Sequence, residues 1–502
     1  MKKFSEIQKK INHLRKNKQI IGLCHGVFDL LHHGHLLHFE AAKKKCDYLF
    51  VSITSDEYIE KGPNRPIHSN NERINILKSL KFVDHAFIAK GKSAVDSINL
   101  IKPNFYFKGN EYKDNLSDKT KKIFQEINAV KKNKGKIFYT NEKEMSSSKI
   151  INQLGLALNE KQIKFLEKVK KQYNYNSIIN SLITLKNDKV IVVGDLIIDE
   201  YIFGNVLGKA GKEPHLVFNK VEENKYIGGS SIVANHLSDF VKKITLISDI
   251  GNENNIRNLL KKKLKKNIKH IKITPNKEYQ SCIKTRFVDS LTKYKLFGSY
   301  KIPNLDNYDF YKMLNKNLNS SIKEHDLIIL ADYSNNFFDS NSINKIRKSK
   351  KFISAMGQKN SNVSSFHSLE HLKNFDLLCI NEGELRSEVR DKKSHIDIIA
   401  KKLLKKNKLK FLVVTRGIDG AILLDHNLKK YSCPSFNSKP VDKIGAGDSM
   451  IAVLSILLKN KINPNISLLI SSLVASNVVN NIGNNYSANK TAIERSLEFL
   501  LK

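Results

Sequence analysis

Gly26-Val-Phe-Asp-Leu-Leu-His-His-Gly-His35 decides the fold of the first third of the chain. The apolar run Ile20-Ile-Gly-Leu-Cys24 before it reads as a buried strand, and Leu36 to Lys45 after it reads as a helix. His32 and His35 stand three apart where that helix begins, which puts both imidazoles on one face. The free amides and positive dipole end of the helix point the same way and make the place an anion site. Gly26 and Gly34 remove side chains where backbone must come close to a ligand or a neighbour. Two imidazole donors above a helix N-terminus suit the charge that grows on an α-phosphorus during nucleotidyl transfer.

Outward from this stretch, short strands and helices alternate. Tyr48–Thr54, Val83–Ile88, Phe105–Lys108 and Lys136–Thr140 read as strands. Ser69-x-x-Glu72 is a capping box for the helix that carries Arg73. Lys61-Gly-Pro-Asn-Arg65-Pro-Ile-His68 reads as a loop. The alternation predicts a parallel, doubly wound α/β sheet with its ligand at the strand C-terminal ends.

Gly26-x-Phe28-Asp29-x-x-His32-x-Gly34-His35 resembles the signature of the cytidylyltransferase-like nucleotidylyltransferases. Arg65-Pro, Glu72-Arg73, Lys108-Gly109 followed by Tyr112, and Met145-Ser-Ser-Ser-Lys149 match later segments of that family in type and order. The resemblance implies a Rossmann-like domain over residues 1–155. It implies that His32 and His35 stabilise the transition state. It also implies that Gly26, Phe28, Asp29, Gly34, Arg73, Lys108, Ser146, Ser147, Ser148 and Lys149 surround the nucleotide and its phosphates, with Lys45 a further phosphate contact.

A chain of 502 residues exceeds one ordinary core, and two or three domains are expected. The hydrophobic fraction of 40% is enough for well-cored globular domains. The formal charge of +37 would fit nucleic-acid binding. Its lysines, however, are scattered among abundant Asn and Ile, the composition an A+T-rich genome yields, and no nucleic-acid partner is expected. Cys24, Cys46, Cys282, Cys379 and Cys433 form no C-x-x-C pair or metal-ligand spacing. A reducing, cytoplasmic setting follows. No apolar run approaches the ~20 residues that span a bilayer, so no membrane insertion is expected.

Residues 156–187, rich in Lys, Asn and Gln at helical spacing, read as a helical linker without chemistry. A second core opens at Val190-Ile-Val-Val-Gly194-Asp195, with Asp199 shortly after. Val217–Ile227 and Gln280–Tyr300 alternate polar and apolar residues as the strands of a small β-lid would. Gly228-Gly229 opens a helix. Buried strands follow at Asp326–Asp332, Phe375–Asn381 (continuing to Glu384) and Lys410–Gly417, the last containing Thr415. Ile444-Gly445-Ala446-Gly447-Asp448 then leads an apolar helix. Small residues at 445–447 leave backbone amides exposed as a phosphate nest. Asp448 in the first turn could take a proton from a substrate hydroxyl.

The order Gly-Asp, Gly-Gly, Asn-x-x-Glu, Thr-Arg-Gly and Gly-Ala-Gly-Asp resembles the ribokinase or PfkB-type carbohydrate kinases. That resemblance implies a ribokinase-like α/β domain over 188–502 with Asp448 as general base and Gly445, Ala446 and Gly447 as the anion hole. Asn381, Glu384, Thr415 and Gly417 would serve the nucleotide phosphates, and Glu384 would serve Mg²⁺, directly or through water. Asp195, Asp199, Gly228 and Gly229 would contact the sugar. Two departures stand out: Ile232, where the family often has Asn, and Asp442-Lys443 in place of Asp-Thr.

The two domains in one chain resemble the bifunctional sugar-phosphate kinase/nucleotidylyltransferases that act on heptose 7-phosphate and heptose 1-phosphate in lipopolysaccharide precursor synthesis. There the kinase usually comes first; here it comes second. The expected partners are ATP or another nucleoside triphosphate and a sugar phosphate, with Mg²⁺ as cofactor. Lid pairing in the kinase family makes a homodimer an expectation. CTP as donor with another sugar or polyol phosphate, a class I aminoacyl-tRNA synthetase, and a non-catalytic sugar-nucleotide sensor are the alternatives.

Overall fold

The computed structural model describes residues 2–110, 122–140, 158–303, 308–358, 368–437 and 440–502. The chain divides into two compact units, Met1–Glu160 with Glu494–Lys502 and Lys161–Ile493.

In the first unit, strands β1 (Ile21–Gly26), β2 (Tyr48–Ile53), β3 (His85–Ile88), β4 (Phe105–Gly109) and β5 (Lys136–Thr140) form one sheet in the order β3-β2-β1-β4-β5. Every pairing is parallel. The order reverses between β1 and β4, so the crevice beyond their C-terminal ends is the ligand position of a doubly wound sheet. Helix α1 (Lys2–Lys16) was not foreseen from the sequence, yet Ile7, Ile11 and Leu14 repeat at helical spacing and all three are buried in the core. Helix α2 (His33–Lys43) follows β1, and α3 (Asn70–Lys78) carries the expected capping box between Ser69 and Glu72.

In the second unit, nine strands form the main sheet in the order β10-β9-β6-β13-β14-β15-β16-β17-β18. They are β6 (Lys189–Gly194), β9 (Lys243–Asp249), β10 (Ile268–Ile273), β13 (Leu327–Asp332), β14 (Phe352–Gly357), β15 (Leu377–Asn381), β16 (Phe411–Thr415), β17 (Ala421–Asp425) and β18 (Lys430–Cys433). The strands up to β16 pair in parallel, and β17 and β18 return antiparallel. Buried Val, Ile and Leu fill both faces of the central strands, as a sheet covered on both sides demands.

The lid is a separate four-stranded sheet, ordered β12-β11-β7-β8. It contains β7 (Leu196–Lys209), β8 (Leu216–Gly229), β11 (Cys282–Asp289) and β12 (Lys295–Lys301). The passage from core to lid occurs at Gly194, with φ of 149° and a position where a Cβ would run into the Ala331 carbonyl. Only glycine fits there.

Of residues 156–187, expected as a helical linker, those from 158 onward are described. Helices α4 (Glu160–Gln172) and α5 (Tyr175–Ile183) pack onto the second unit: Leu166, Val169, Ile178 and Leu182 are buried, and Gln162 donates to the Ser435 carbonyl at 2.6 Å. Residues 494–502, in turn, belong to the first unit and not to the second.

Candidate active sites

In the first unit His32 is the N-cap of α2 with extended backbone, and His35 lies one turn in. Their rings stack with centroids 3.8 Å apart and an interplanar angle of 19°. The Phe28 ring meets His35 edge-on at 5.3 Å. A Cβ at Gly26 would come within 2.9 Å of that ring, so the glycine makes room for it. The Nδ1 atoms of His32 and His35 are buried, with no hydrogen-bond partner among the described residues. Burial, then the charges of His32, His38 and Lys61, push His35 down to about 3, and burial lowers His32 as well. Both imidazoles are therefore neutral near pH 7, each with one N–H to donate.

The charged residues expected at the nucleotide are turned to other work. Asp29 accepts from Arg65 Nε at 2.5 Å and from the amides of Ile67 and His68 at 2.7 and 3.1 Å, so it ties down the 61–68 loop. Arg73 is buried and donates to the carbonyls of His68, Val27 and Thr54 and to Asp56 and Asn70. It clips α3 to the ends of β1 and β2. The Lys108 ammonium lies 3.0 Å from Glu126, which also accepts from the Tyr106 hydroxyl at 2.9 Å. The Lys45 ammonium sits 5.0 Å from the Phe138 ring centre. Ser146, Ser147, Ser148 and Lys149 lie outside the described residues.

In the second unit a cavity of about 500 Å³ opens at the strand C-terminal ends beneath the lid. Asp199, Gly229, Asn381, Glu384, Thr415, Gly417, Gly445, Ala446, Gly447 and Asp448 all line it. Asn381 and Glu384 form a reciprocal capping box at the start of helix α6 (Glu382–Val389), with bonds of 2.8 and 2.7 Å. Gly445, with φ of 84°, caps helix α7 (Ala446–Lys459), whose first turn holds Asp448. A Cβ at Gly445 would lie 2.5 Å from Asn484 Oδ1, so the turn has no room for one.

Burial pushes the Asp448 carboxyl up to about 6; the bond from the Tyr333 hydroxyl (2.5 Å) and the Lys284 charge work downward, and Asp199 upward. Asp199 itself accepts from Arg286 Nη1 at 2.6 Å and Asn484 Nδ2 at 2.7 Å.

Asp195 and Gly228 are placed differently from the sugar contacts expected of them. Asp195 does not line the cavity; its Oδ2 accepts from the Tyr333 amide at 2.9 Å, and burial beside Asp249 and Asp332 pushes it up to about 8. Gly228 makes room for the Asp199 carboxylate that a Cβ would strike.

Sequence reading missed Lys284 and Arg286, which stand two apart on β11 and line the cavity together. Period-2 alternation could have found them, because residues two apart share a face of a strand. Asp442 was noted only as a departure. It accepts from Tyr201, Lys295 and the amides of Ile444 and Gly483, and so fixes the turn into the anion hole.

Residues 187–491 match the pfkB family of carbohydrate kinases, and residues 23–153 match the cytidylyltransferase-like family. The chain belongs to the pfkB family. It carries a cytidylyltransferase-like domain ahead of its kinase domain. The bifunctional protein HldE of Aliarcobacter butzleri is 27% identical over 287 residues, 56% of this chain and 58% of that protein. HldE of Campylobacter jejuni (strain 81116) is 33% identical over 117 residues, 23% of this chain and 25% of its own. The aligned regions thus span about half the length of the first relative and a quarter of the second. The crystal structure of Escherichia coli phosphofructokinase-2 with potassium superposes with a TM-score of 0.51 at 14% identity, over 63% of this chain and 100% of that one. That likeness establishes the ribokinase-like fold of the second unit. Among the described residues no helix is long and apolar enough to cross a membrane.

Proposed function

We propose that the chain performs two consecutive reactions of nucleotide-sugar synthesis. The second unit phosphorylates the anomeric hydroxyl of a sugar phosphate, heptose 7-phosphate in our reading, with ATP. The first unit joins a sugar 1-phosphate to the nucleotidyl group of ATP. The observation that carries the kinase half is the junction of Asp448 and the Gly445–Gly447 turn in one cavity with Asp199 and Arg286. Asp448 accepts the hydroxyl proton as the sugar oxygen bonds to the γ-phosphorus, and ADP leaves. The 445–447 amides and the dipole of α7 hold the charge that builds on the transferred group.

Of the lining carboxylates among the described residues, Asp199 is bonded to Arg286 and Asp448 to Tyr333. Glu384, whose carboxylate also lines the cavity and accepts from the Asn381 amide, would hold a magnesium that arrives with the nucleotide, in keeping with the one or two carboxylates Mg²⁺ takes beside phosphate oxygens. When bound, the ion neutralises phosphate charge.

In the first unit, an oxygen of the sugar 1-phosphate attacks the α-phosphorus and pyrophosphate departs. His32 and His35, neutral and stacked, donate to the phosphate oxygens as charge grows there. Relatives that bear the name bifunctional protein HldE support the pairing. Five buried free cysteines and the use of ATP fit a cytoplasmic setting.

The test is ³¹P NMR of the protein with Mg-ATP and heptose 7-phosphate. A bisphosphate should form with wild type and not with Asp448→Asn. After a 7-phosphatase is added, pyrophosphate and an NDP-sugar should form with wild type and not with His35→Ala. Heptose left untouched while another sugar phosphate consumes ATP would refute the heptose assignment. Adenylyl transfer replaced by cytidylyl transfer would refute the donor.

A further inference from the structure

Tyr333 stands at the first position after β13, and no sequence motif marked it for a role. It is buried, and three bonds or contacts fix it from different sides. Its amide donates to Asp195 Oδ2 at 2.9 Å. Its hydroxyl donates to Asp448 Oδ1 at 2.5 Å. Its ring lies 5.8 Å from the Lys284 ammonium. The chain turns away directly after it, since Ser334 has φ of 61°. Asp195, the strand-end carboxyl that does not reach the cavity, therefore acts on the cavity through Tyr333.

We propose that Tyr333 is a positioning residue for phosphoryl transfer: its hydroxyl holds Asp448 Oδ1 and so presents Oδ2 to the substrate hydroxyl in the cavity. This rests on the reading of Asp448 as general base. A carboxylate on a short side chain has two terminal oxygens and a broad χ2 torsion, so an unrestrained Asp448 would sample orientations that face no substrate. One fixed O–H···O⁻ bond, of the short charge-assisted kind, removes that freedom before the substrate arrives. The same bond stabilises the ionised form, which the base must adopt to accept a proton. The other charged or titratable groups facing Asp448 are Asp199 on β7, Lys284 on β11 and the Cys379 thiol on β15. Asp199 opposes the ionised form, Lys284 favours it, and the thiol is held protonated by burial, pushed up to about 12.

The discriminating variant is Tyr333→Phe, which keeps the ring and removes the hydroxyl. Phosphoryl transfer to the sugar phosphate should lose about 10–100-fold in kcat, the effect of deleting one bond to a charged group. KM for both substrates should stay within about twofold. The acid limb of the kcat/KM profile should move to higher pH by about one unit, a change that loss of packing alone would not produce. Two measurements need no knowledge of the sugar. Carboxyl ¹³C NMR, with the Asp448 signal assigned by its absence in Asp448→Asn, should show a higher midpoint in Tyr333→Phe. In wild type, a downfield Tyr333 hydroxyl proton should be visible and should vanish in Asp448→Asn, a result independent of how Tyr333→Phe folds. Unchanged kcat and an unchanged Asp448 midpoint in Tyr333→Phe would overturn the proposal, and so would the absence of that hydroxyl resonance in wild type. If Asp448→Asn itself keeps full kinase activity, the base assignment fails, and the positioning role falls with it even where the NMR contact is seen.

Discussion

In the proposed reading the two sites would meet the same need, holding the phosphates of a nucleotide, by opposite means. In the second unit, backbone turns would serve the phosphates in that reading. Gly445, Ala446 and Gly447 line the cavity together with Asn381, Glu384 and Asp448, all expected from the sequence. In the first unit the stacked histidines stand at the start of the helix that follows β1. The charged residues assigned to the nucleotide are instead internal braces: Asp29 to Arg65, Arg73 to three carbonyls, Lys108 to Glu126. Glycine-rich turns announce their conformation, because few residues tolerate it. A lone Arg or Lys does not announce its direction, because its long side chain can reach a ligand or an internal acceptor equally well.

The two sites part most visibly at the catalytic groups. Asp448→Asn should lower sugar phosphorylation by about 10²–10⁴-fold, the range of a general base, and leave pyrophosphate release by the first unit unchanged. A coupled ADP assay and a pyrophosphate assay on the same sample check it. His35→Ala should do the reverse, with nucleotidyl transfer falling about 10²–10³-fold and the kinase intact, the loss associated with removing one transition-state donor. If either substitution depressed both activities equally, the separation into two sites would fail.

Arg73 sharpens the contrast. Arg73→Ala would leave several buried carbonyls and part of Asp56 without their donor, which costs about 1–3 kcal/mol for each group stranded. The first unit should therefore unfold at markedly lower denaturant concentration, read by circular dichroism because the chain has no tryptophan. The KM for nucleoside triphosphate, measured on protein still folded at low temperature, should change little. A large rise in KM with unaltered stability would return Arg73 to the phosphate.

Much of the fold was legible because its signals are periodic. Buried strands of Val, Ile and Leu, the Ser69–Glu72 capping box and the alternation over 217–227 all reappear in place. Helix α1 was legible and overlooked: Ile7, Ile11 and Leu14 keep a helical stripe inside a lysine-rich segment whose charge hid it. The linker helices were recognised as helices, but a pattern of spacing does not say which body they pack against. The clasp of Tyr333 on Asp448 joins residues 115 apart in sequence, and no local pattern encodes a contact of that range.

The smallest expected effect separates the sites by pH. As a general base Asp448 would have to be ionised to work, and its carboxyl is pushed up to about 6 by burial. Below that value the protonated fraction grows, so kinase kcat/KM should fall about tenfold for each unit of further acidification. His35 is held down near 3 by burial and neighbouring charge, so its imidazole gains no proton anywhere between about pH 8 and pH 5. So far as nucleotidyl transfer depends on a neutral His35, it should accordingly stay within about twofold of its neutral rate at about pH 5.5, where the kinase has already lost most of its own. The direction follows from the two environments. Burial penalises the charged form in both, but the charged form is the active one for a carboxylate base and the unwanted one for a neutral imidazole donor. Parallel profiles with a common acid limb near 6 would mean that a charged histidine, not a neutral one, serves the first site.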